Sequence, residues 1–278
     1  MTLVIPGVVT LSLLSFAYCC MLPEVSRRDQ MKEFEKQYIA HRGLHDNQSE
    51  APENTLPAFQ KAVEQGYGIE LDVQLTKDKV PVVIHDYDLK RAAGVEKRVE
   101  ECTFEELCTY PLFGSTQRVP TFEEVLHLVG GRVPLIIEIK VEWHYRETCK
   151  RVAECLDAYR GAYCMESFSP LAVWWFKRHR SQVLRGQLAT NHRREGLKTP
   201  WFVEGILTNC LLNGFCKPDF IAYNCQFTKT FPVTVLRHFY KCKMAAWTIK
   251  SQGELEKHKK QFDVFIFDSF TPKEEKEN

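Results

Sequence analysis

The first half of this chain of 278 residues places charged and histidine side chains within or beside short apolar runs. Five segments share this feature: His41-Arg42-Gly43, Glu53-Asn54-Thr55, Glu70-Leu71-Asp72, His85-Asp86 and Glu138-Ile139-Lys140. A charged group in an apolar setting is costly unless another group pairs with it. Three carboxylates, two histidines, an arginine and a lysine that converge on one end of a sheet indicate a divalent metal ion with acid–base catalysis around it.

The apolar runs predict buried parallel strands, because they are short, rich in Val, Ile and Leu and bounded by turn residues. Strand-like and helix-like stretches alternate, which is typical of an α/β protein. Strands are predicted at 38–40, 68–74, 81–85, 134–140, 162–168, 184–188, 220–223, 244–248 and 264–267. Helices are predicted at 56–65, 121–129, 145–159, 170–179, 234–241 and 253–260. We therefore predict a (β/α)8 TIM-type barrel, in which functional side chains lie at the carboxyl ends of the strands.

One polar stretch departs from this alternation after the third predicted strand. It covers residues 88–118, and within it Thr103 to Leu107 has the pattern of a short capped turn. We interpret this stretch as an excursion over the mouth of the barrel.

Length and charge limit the possible functions. A single barrel of about 250 residues would use nearly the whole chain. The chain has 37 basic and 36 acidic residues, so its net charge of +1 creates no global field that would attract nucleic acid. The eleven cysteines are scattered and contain no Cys-x-x-Cys pair. This pattern indicates buried free thiols in a reducing compartment.

The amino-terminal residues 1–23 carry no charged side chain, and about 20 predominantly apolar residues can cross a bilayer. Arg27, Arg28 and Lys32 follow, so the positive-inside rule places the downstream domain in the cytoplasm. The alternatives are a buried helix of a cytoplasmic protein and an upstream start-site artefact, while a secretory signal would need a positive region first. The predicted division is an anchor at 1–23, a linker at 24–36, the barrel at 37–272 and a charged tail at 273–278.

In these five segments, taken in order, the chain resembles the glycerophosphodiester phosphodiesterase family. Glu166-Ser167-Phe168 and Trp247-Thr248 extend the resemblance, which runs from about Tyr38 to Pro272. The last predicted strand differs, since the family more often ends it in an Asp-Gly pair where this chain has Phe267-Asp268.

The resemblance implies roles for individual residues. His41 and His85 would divide acid and base catalysis, in an order that the sequence leaves open, and the glycerol 2-hydroxyl would attack first to give a cyclic phosphate. Arg42 and Lys140 would hold phosphoryl oxygens. Other residues are expected to support the site: Trp247 at the mouth, and Glu53, Asn54 and Asp86 as outer partners.

The carboxylates predict the cofactor. Glu70 and Asp72 lie two residues apart on one strand and would point to the same side, and Glu138 would join them from a neighbouring strand. Mg²⁺ and Ca²⁺ prefer such oxygen ligands, so we expect one of these two ions.

The expected function is therefore metal-dependent hydrolysis of glycerophosphodiesters to glycerol 3-phosphate and an alcohol. One alternative is lysophospholipase-D-like hydrolysis of lysophospholipids at the bilayer, which the predicted anchor would favour. The other is a membrane-tethered barrel that binds a phosphorylated ligand without turning it over, although the intact His41 and His85 argue against it. The expected partners are a small-molecule diester or lysophospholipid and, through residues 1–23, a membrane.

Overall fold

The fold is a closed barrel, as predicted. The computed structural model describes residues 15–35, 37–196 and 200–273. Its strands are β1 Ile39–His41, β2 Gly68–Leu75, β3 Pro81–Val83, β4 Leu135–Ile139, β5 Tyr163–Ser167, β6 Leu184–Ala189, β7 Phe220–Asn224, β8 Lys243–Ile249 and β9 Val264–Phe267. Eight of them run parallel in the order β1-β9-β8-β7-β6-β5-β4-β2, and pairing of β1 with β2 closes the ring.

The prediction that all nine strands are parallel is wrong for β3. This strand pairs antiparallel with β2, with Val73 opposite Val83, and stands outside the ring. Only residues 76–80 connect β2 to β3, whereas a parallel crossover needs a dozen or more residues. The short connection therefore forces a hairpin. The eight strands of the barrel are β1, β2 and β4 to β9.

The helices lie outside the ring of strands, most of them around it and a few short ones over its two ends. They are Lys32–Glu35, Leu56–Glu64, Lys90–Ala93, Phe104–Leu107, Phe122–Val129, Tyr145–Leu156, Pro170–His179, Trp201–Thr208, Asn213–Cys216, Phe231–Thr234 and Gln252–His258. The helix predicted at 234–241 instead begins at Phe231 and continues as a π-helical turn over Val235–Phe239. Four helices lie in regions without a predicted helix: Lys32–Glu35, Lys90–Ala93, Trp201–Thr208 and Asn213–Cys216.

The barrel interior has two layers of opposite character. Near the amino ends of the strands, Ile39 and Ile136 are buried among other apolar side chains. Two residues further along the same strands lie His41 and Glu138. Since side chains two apart on a strand point to the same side, the polar residues form the upper layer, at the mouth.

The polar stretch 88–118 folds over the mouth side with a small core of its own. Leu89, Val99 and Leu107 are fully buried within it. The predicted capped turn is present, because the Thr103 side chain accepts a hydrogen bond from the Glu106 backbone N–H.

The residues before β1 close the opposite end of the barrel. Met31 and Phe34 are buried in the interior apolar cluster, and Arg27 forms an ion pair with the buried Asp219. Further upstream, Tyr18 stacks on Tyr240 with the ring centroids 4.5 Å apart. Residues 24–35, predicted as a linker, thus pack against the barrel.

The predicted anchor is described only from residue 15 onward, because residues 1–14 lie outside the described ranges. No helix in residues 15–35, 37–196 and 200–273 combines the length and apolarity that a membrane crossing requires. None of the eleven cysteines, all of which are described, forms a disulfide. Residues 274–278 of the predicted tail also lie outside the description.

Candidate active site

The strand register brings the polar residues together. In the sheet, His41 pairs with Glu70, Asp72 with Glu138, and Glu138 with Glu166. These residues are at or near the carboxyl ends of β1, β2, β4 and β5, which are neighbours in the ring. One arc of the mouth therefore carries a histidine and four carboxylates.

A tight turn after His41 completes this arc. Arg42 and Gly43 both have positive φ, at 55° and 83°. A Cβ atom on residue 43 would lie 2.8 Å from the Ala58 carbonyl carbon, so the turn requires glycine. The turn directs the Arg42 backbone N–H to Glu70 Oε2, at 3.2 Å.

Three of the carboxylates form a compact cluster. Oxygen atoms of Glu70, Asp72 and Glu138 all lie within 4.8 Å of one another, and all three residues are buried. Burial raises the pKa of Glu70 well above its usual range, and the charges of Asp72 and Glu138 raise it further. Burial likewise raises the pKa of Glu138. By contrast, although burial opposes the shift, Lys140, with His85 and Arg42, holds the pKa of Asp72 well below its usual range.

This cluster fits a divalent cation. Lys140 Nζ lies 3.1 Å from Asp72 Oδ1 and 2.8 Å from Glu138 Oε1, so it compensates part of the negative charge. Glu166 Oε2 is buried without a hydrogen-bond partner among the described residues, and burial raises the pKa of this side chain well above its usual range. A hard cation would supply the missing positive charge to such an all-oxygen donor set.

Each predicted catalytic histidine is held by a carboxylate. His41 Nδ1 lies 3.1 Å from Asp268 Oδ2, and His85 Nδ1 lies 2.6 Å from Asp86 Oδ1. A carboxylate on Nδ1 favours the tautomer that leaves Nε2 free to accept a proton. His41 Nε2 is 3.9 Å from Glu70 Oε2, next to the cluster. Burial lowers the pKa of His41 despite the opposing effect of Asp268.

The outer partners form an ionic network centred on Glu53. Arg91 donates two hydrogen bonds to Glu53, at 2.7 and 2.9 Å, and a third at 2.6 Å to Asp86. Arg42 Nη1 donates to Glu53 Oε1 at 2.7 Å. Against the effect of burial, these arginines lower the pKa of Glu53 to about 2. Arg91 therefore links Asp86, the partner of His85, to Glu53, the partner of Arg42.

A cavity of about 320 Å³ opens above these groups. It is lined by both histidines, Arg42, Glu70, Glu138, Glu166, Trp247 and Asp268, among others. The Trp247 ring packs edge-on against Phe168, with centroids 5.6 Å apart. Trp247 Nε1 is buried without a hydrogen-bond partner among the described residues, and is thus available as a donor to a ligand.

Comparison with known proteins places this arrangement in a family. Residues 41–195, more than half of the chain, match the model of the glycerophosphoryl diester phosphodiesterase family. The chain belongs to this family. The match includes both histidines and the four carboxylates at the mouth, Glu70, Asp72, Glu138 and Glu166.

Curated relatives of this glycerophosphodiester phosphodiesterase family align over part of their length. A glycerophosphodiester phosphodiesterase of Caldanaerobacter subterraneus subsp. tengcongensis is 46% identical over 110 residues, which are 37% of this chain and 44% of the relative. Human lysophospholipase D GDPD1 is 32% identical over 165 residues, 55% of this chain and 48% of the relative. The chain spans about half the length of the curated relatives that it matches.

Solved structures of the family share the fold. The Thermotoga maritima glycerophosphodiester phosphodiesterase has a TM-score of 0.63 and 28% identity, and the match covers 83% of this chain and 94% of that chain. An Oleispira antarctica phosphodiesterase in complex with sn-glycerol-3-phosphate has a TM-score of 0.67 at 23% identity, with 83% and 92% covered.

Within this family fold, the predicted site residues fall into three groups. His41, Arg42, Glu70, His85, Glu138 and Trp247 line the cavity. Asp72 and Lys140 lie beside it, with Lys140 between two carboxylates. Of the outer partners, Asn54 donates to Asp72 at 2.8 Å and Asp86 contacts His85, whereas Glu53 contacts the two arginines.

Three residues of the site were given no role from the sequence: Glu166, Asp268 and Arg91. Glu166 and Asp268 follow the rule that functional side chains lie at strand ends, so that rule could have found both. Arg91 lies in the short helix Lys90–Ala93, whose neighbouring residues give no signal of its contacts. His45, whose Nε2 is 3.3 Å from Asp268 Oδ1, lies in the loop after β1.

Proposed function

We propose that this protein hydrolyses glycerophosphodiesters to glycerol 3-phosphate and an alcohol. The observation that carries the proposal is one cavity lined by two carboxylate-held histidines together with part of a buried carboxylate cluster. Membership of the family and the activity named for the Caldanaerobacter relative support it.

Glu70, Asp72 and Glu138 would hold a divalent cation, Mg²⁺ or Ca²⁺. When bound, the cation supplies positive charge that offsets the negative charge of the phosphoryl oxygens. Arg42 lines the cavity and adds a fixed positive charge there. Lys140 supports the ligands themselves, because both of its short contacts are to cluster carboxylates.

Burial supports a division of labour between the histidines. The His41 side chain is 17% exposed and adjoins the cluster, whereas that of His85 is 33% exposed. Because the leaving alcohol must reach solvent, the more exposed His85 suits the acid that protonates it. The lowered pKa of His41 keeps this residue neutral near pH 7, as a base must be.

The reaction then has two balanced steps. His41 Nε2 takes the proton of the glycerol 2-hydroxyl while the glycerol 2-oxygen bonds to phosphorus. The bond from phosphorus to the alcohol oxygen breaks, and His85 donates a proton to that oxygen. In the second step His85 takes a proton from water as the water oxygen bonds to phosphorus. The bond from phosphorus to the glycerol 2-oxygen breaks, and His41 returns its proton to that oxygen, which gives glycerol 3-phosphate.

Removal of divalent cations from the full chain should stop release of glycerol 3-phosphate from glycerophosphocholine, and restored Mg²⁺ or Ca²⁺ should recover it. The expectation follows from the excess of buried carboxylates in the cavity. An enzyme-coupled assay of glycerol 3-phosphate, with circular dichroism as the folding control, measures the outcome. No release with either ion from a folded protein would contradict the proposed activity.

Replacement of Arg91 should lower kcat by about 10–100-fold, which is usual for partners that orient functional groups. Arg91→Ala removes the link between Asp86 and Glu53, so both His85 and Arg42 lose a fixed partner. The loss should fall on kcat more than on KM, because Arg91 directs its hydrogen bonds to Glu53 and Asp86. Steady-state kinetics on glycerophosphocholine test this.

Two further variants separate positioning from general stability. Arg91→Lys should recover part of kcat, since an ammonium group can still contact one of the two carboxylates. Lys90→Ala is the matched control, because Lys90 forms an exposed ion pair with Glu96. A melting temperature that falls in Arg91→Ala while kcat stays unchanged would show that the network serves stability alone.

A further inference from the structure

Large apolar side chains are exposed after four consecutive barrel strands. Trp143 follows β4, Leu171 follows β5, Trp201 and Phe202 follow β6, and Phe231 follows β7. These four strands are parallel neighbours, so their carboxyl ends lie side by side at the mouth. We call these five residues the rim arc.

The helix Trp201–Thr208 is the centre of the rim arc. Its sequence is Trp-Phe-Val-Glu-Gly-Ile-Leu-Thr, yet none of its residues is buried. Trp201 is 83% exposed. A helix on a globular protein normally turns an apolar stripe toward the core. In this helix Val203, Ile206 and Leu207 are only half-buried, and Trp201 and Phe202 are exposed, which is typical of a surface that binds another apolar phase.

The chemistry of the rim arc favours a lipid surface. Tryptophan and other aromatic side chains are preferred where water meets the acyl region of a bilayer. Arg193 and Arg194, both exposed, precede the helix and could pair with lipid phosphates. Exposed aromatic side chains with arginines on the preceding loop combine apolar burial and charge attraction, the two contributions that hold proteins at a membrane interface.

The position of the rim arc adds a second argument. The loop between β6 and this helix contributes His192 and Glu195 to a cavity of about 900 Å³ that also contains His85 and Trp247. The loop that leads to this helix therefore borders the mouth of the phosphodiester site. We propose that the rim arc docks on the surface of a phospholipid bilayer, with the mouth facing the lipid headgroups.

This docking does not require residues 1–23. The described part of that segment packs near Tyr240 and Gly214, which precede β8 and β7 and therefore lie at the end opposite the mouth. Phe239, which is 67% exposed, lies at that same end. It provides a matched control for loss of an exposed aromatic side chain.

Binding of the full chain to phosphatidylcholine vesicles, with and without phosphatidylserine, tests the proposal by co-sedimentation. A double variant, Trp201→Ala with Phe202→Ala, should raise the lipid concentration for half-binding by about tenfold or more, since two aromatic groups leave the apolar phase. Phe239→Ala should bind as the unmodified chain does. All variants should turn over water-soluble glycerophosphocholine at the unmodified rate.

Contact at the rim is measured separately, because residues 1–23 could bind vesicles by themselves. Vesicles with brominated acyl chains should quench the fluorescence of Trp143 and Trp201, and Trp143→Phe with Trp201→Phe should lose that quenching. Sedimentation with vesicles but without quenching would overturn the proposal. It would also be overturned if Phe239→Ala weakened vesicle binding as much as the double variant does. Self-association that the double variant abolishes would identify a second copy of the chain as the occupant and would also overturn it.

Discussion

Glu70→Gln should abolish cation binding and lower glycerol 3-phosphate release by about a thousandfold or more, since a bound cation contributes several kcal/mol to the transition state. Burial raises the pKa of Glu70 well above its usual range, and Glu70 Oε2 lies 3.9 Å from His41 Nε2 as well. Isothermal titration with Mg²⁺ or Ca²⁺ and the coupled assay measure both effects. Glu105→Gln, an exposed glutamate on the excursion, is the control.

The same variant should become more stable when no cation is present. Burial, together with Asp72 and Glu138, raises the pKa of Glu70 in the folded state. Its stabilising contribution is therefore complete below the unfolded-state pKa and is lost as the pH rises through the folded-state pKa. Glutamine has no carboxyl group that ionises, so the variant does not lose this stability as the pH rises.

Thermal denaturation near pH 7 tests this reversal. In chelator, Glu70→Gln should melt above the unmodified chain, and with Mg²⁺ or Ca²⁺ restored the order should invert. If Glu70→Gln melted lower in chelator and still bound the cation, Glu70 would be a structural residue and the cation would bind at another site.

His41→Asn and His85→Asn should each lower turnover of glycerophosphocholine by about 10²–10⁴-fold, the usual contribution of acid–base groups. Both variants should retain cation binding, because neither histidine belongs to the carboxylate cluster. His127→Asn, on an exposed helical position, controls for the substitution itself.

The leaving group separates the two histidines. A glycerophosphodiester of p-nitrophenol needs no proton on departure, so His85→Asn should recover most of the rate of the first step, measured as p-nitrophenol release in a single turnover. His41→Asn should remain slow on both substrates, since the attacking hydroxyl still needs a base. The opposite pattern would exchange the two roles, and loss of the cation from either variant would contradict the division between ligands and catalysts.

The barrel and the core of its site were predictable because strand periodicity is local. The two-residue spacing in Ile39 and His41, and in Glu70 and Asp72, sets which side chains share a face. The strand-end rule then places them at one mouth. The antiparallel β3 was missed because an apolar run carries no sign of direction, which here follows from the length of the connection to β2.

The ionic network was harder to predict for a different reason. Arg91 is 38 residues from Glu53 in sequence and lies in a short helix of the excursion. Its contacts depend on how that excursion folds over the mouth, and nothing in its neighbouring residues reports that fold. The exposed helix Trp201–Thr208 was missed because its apolar residues give no amphipathic stripe.

Met31 and Phe34 fill the lower end of the barrel before β1 begins, and each contributes about 1.5–3 kcal/mol by being buried. The family match, by contrast, starts only at residue 41. The folding unit is therefore larger than the stretch that family resemblance defines. A shortened chain that begins at Tyr38 would keep every active-site residue yet open an apolar hole beneath them, so loss of its activity would report damaged architecture rather than absent chemistry.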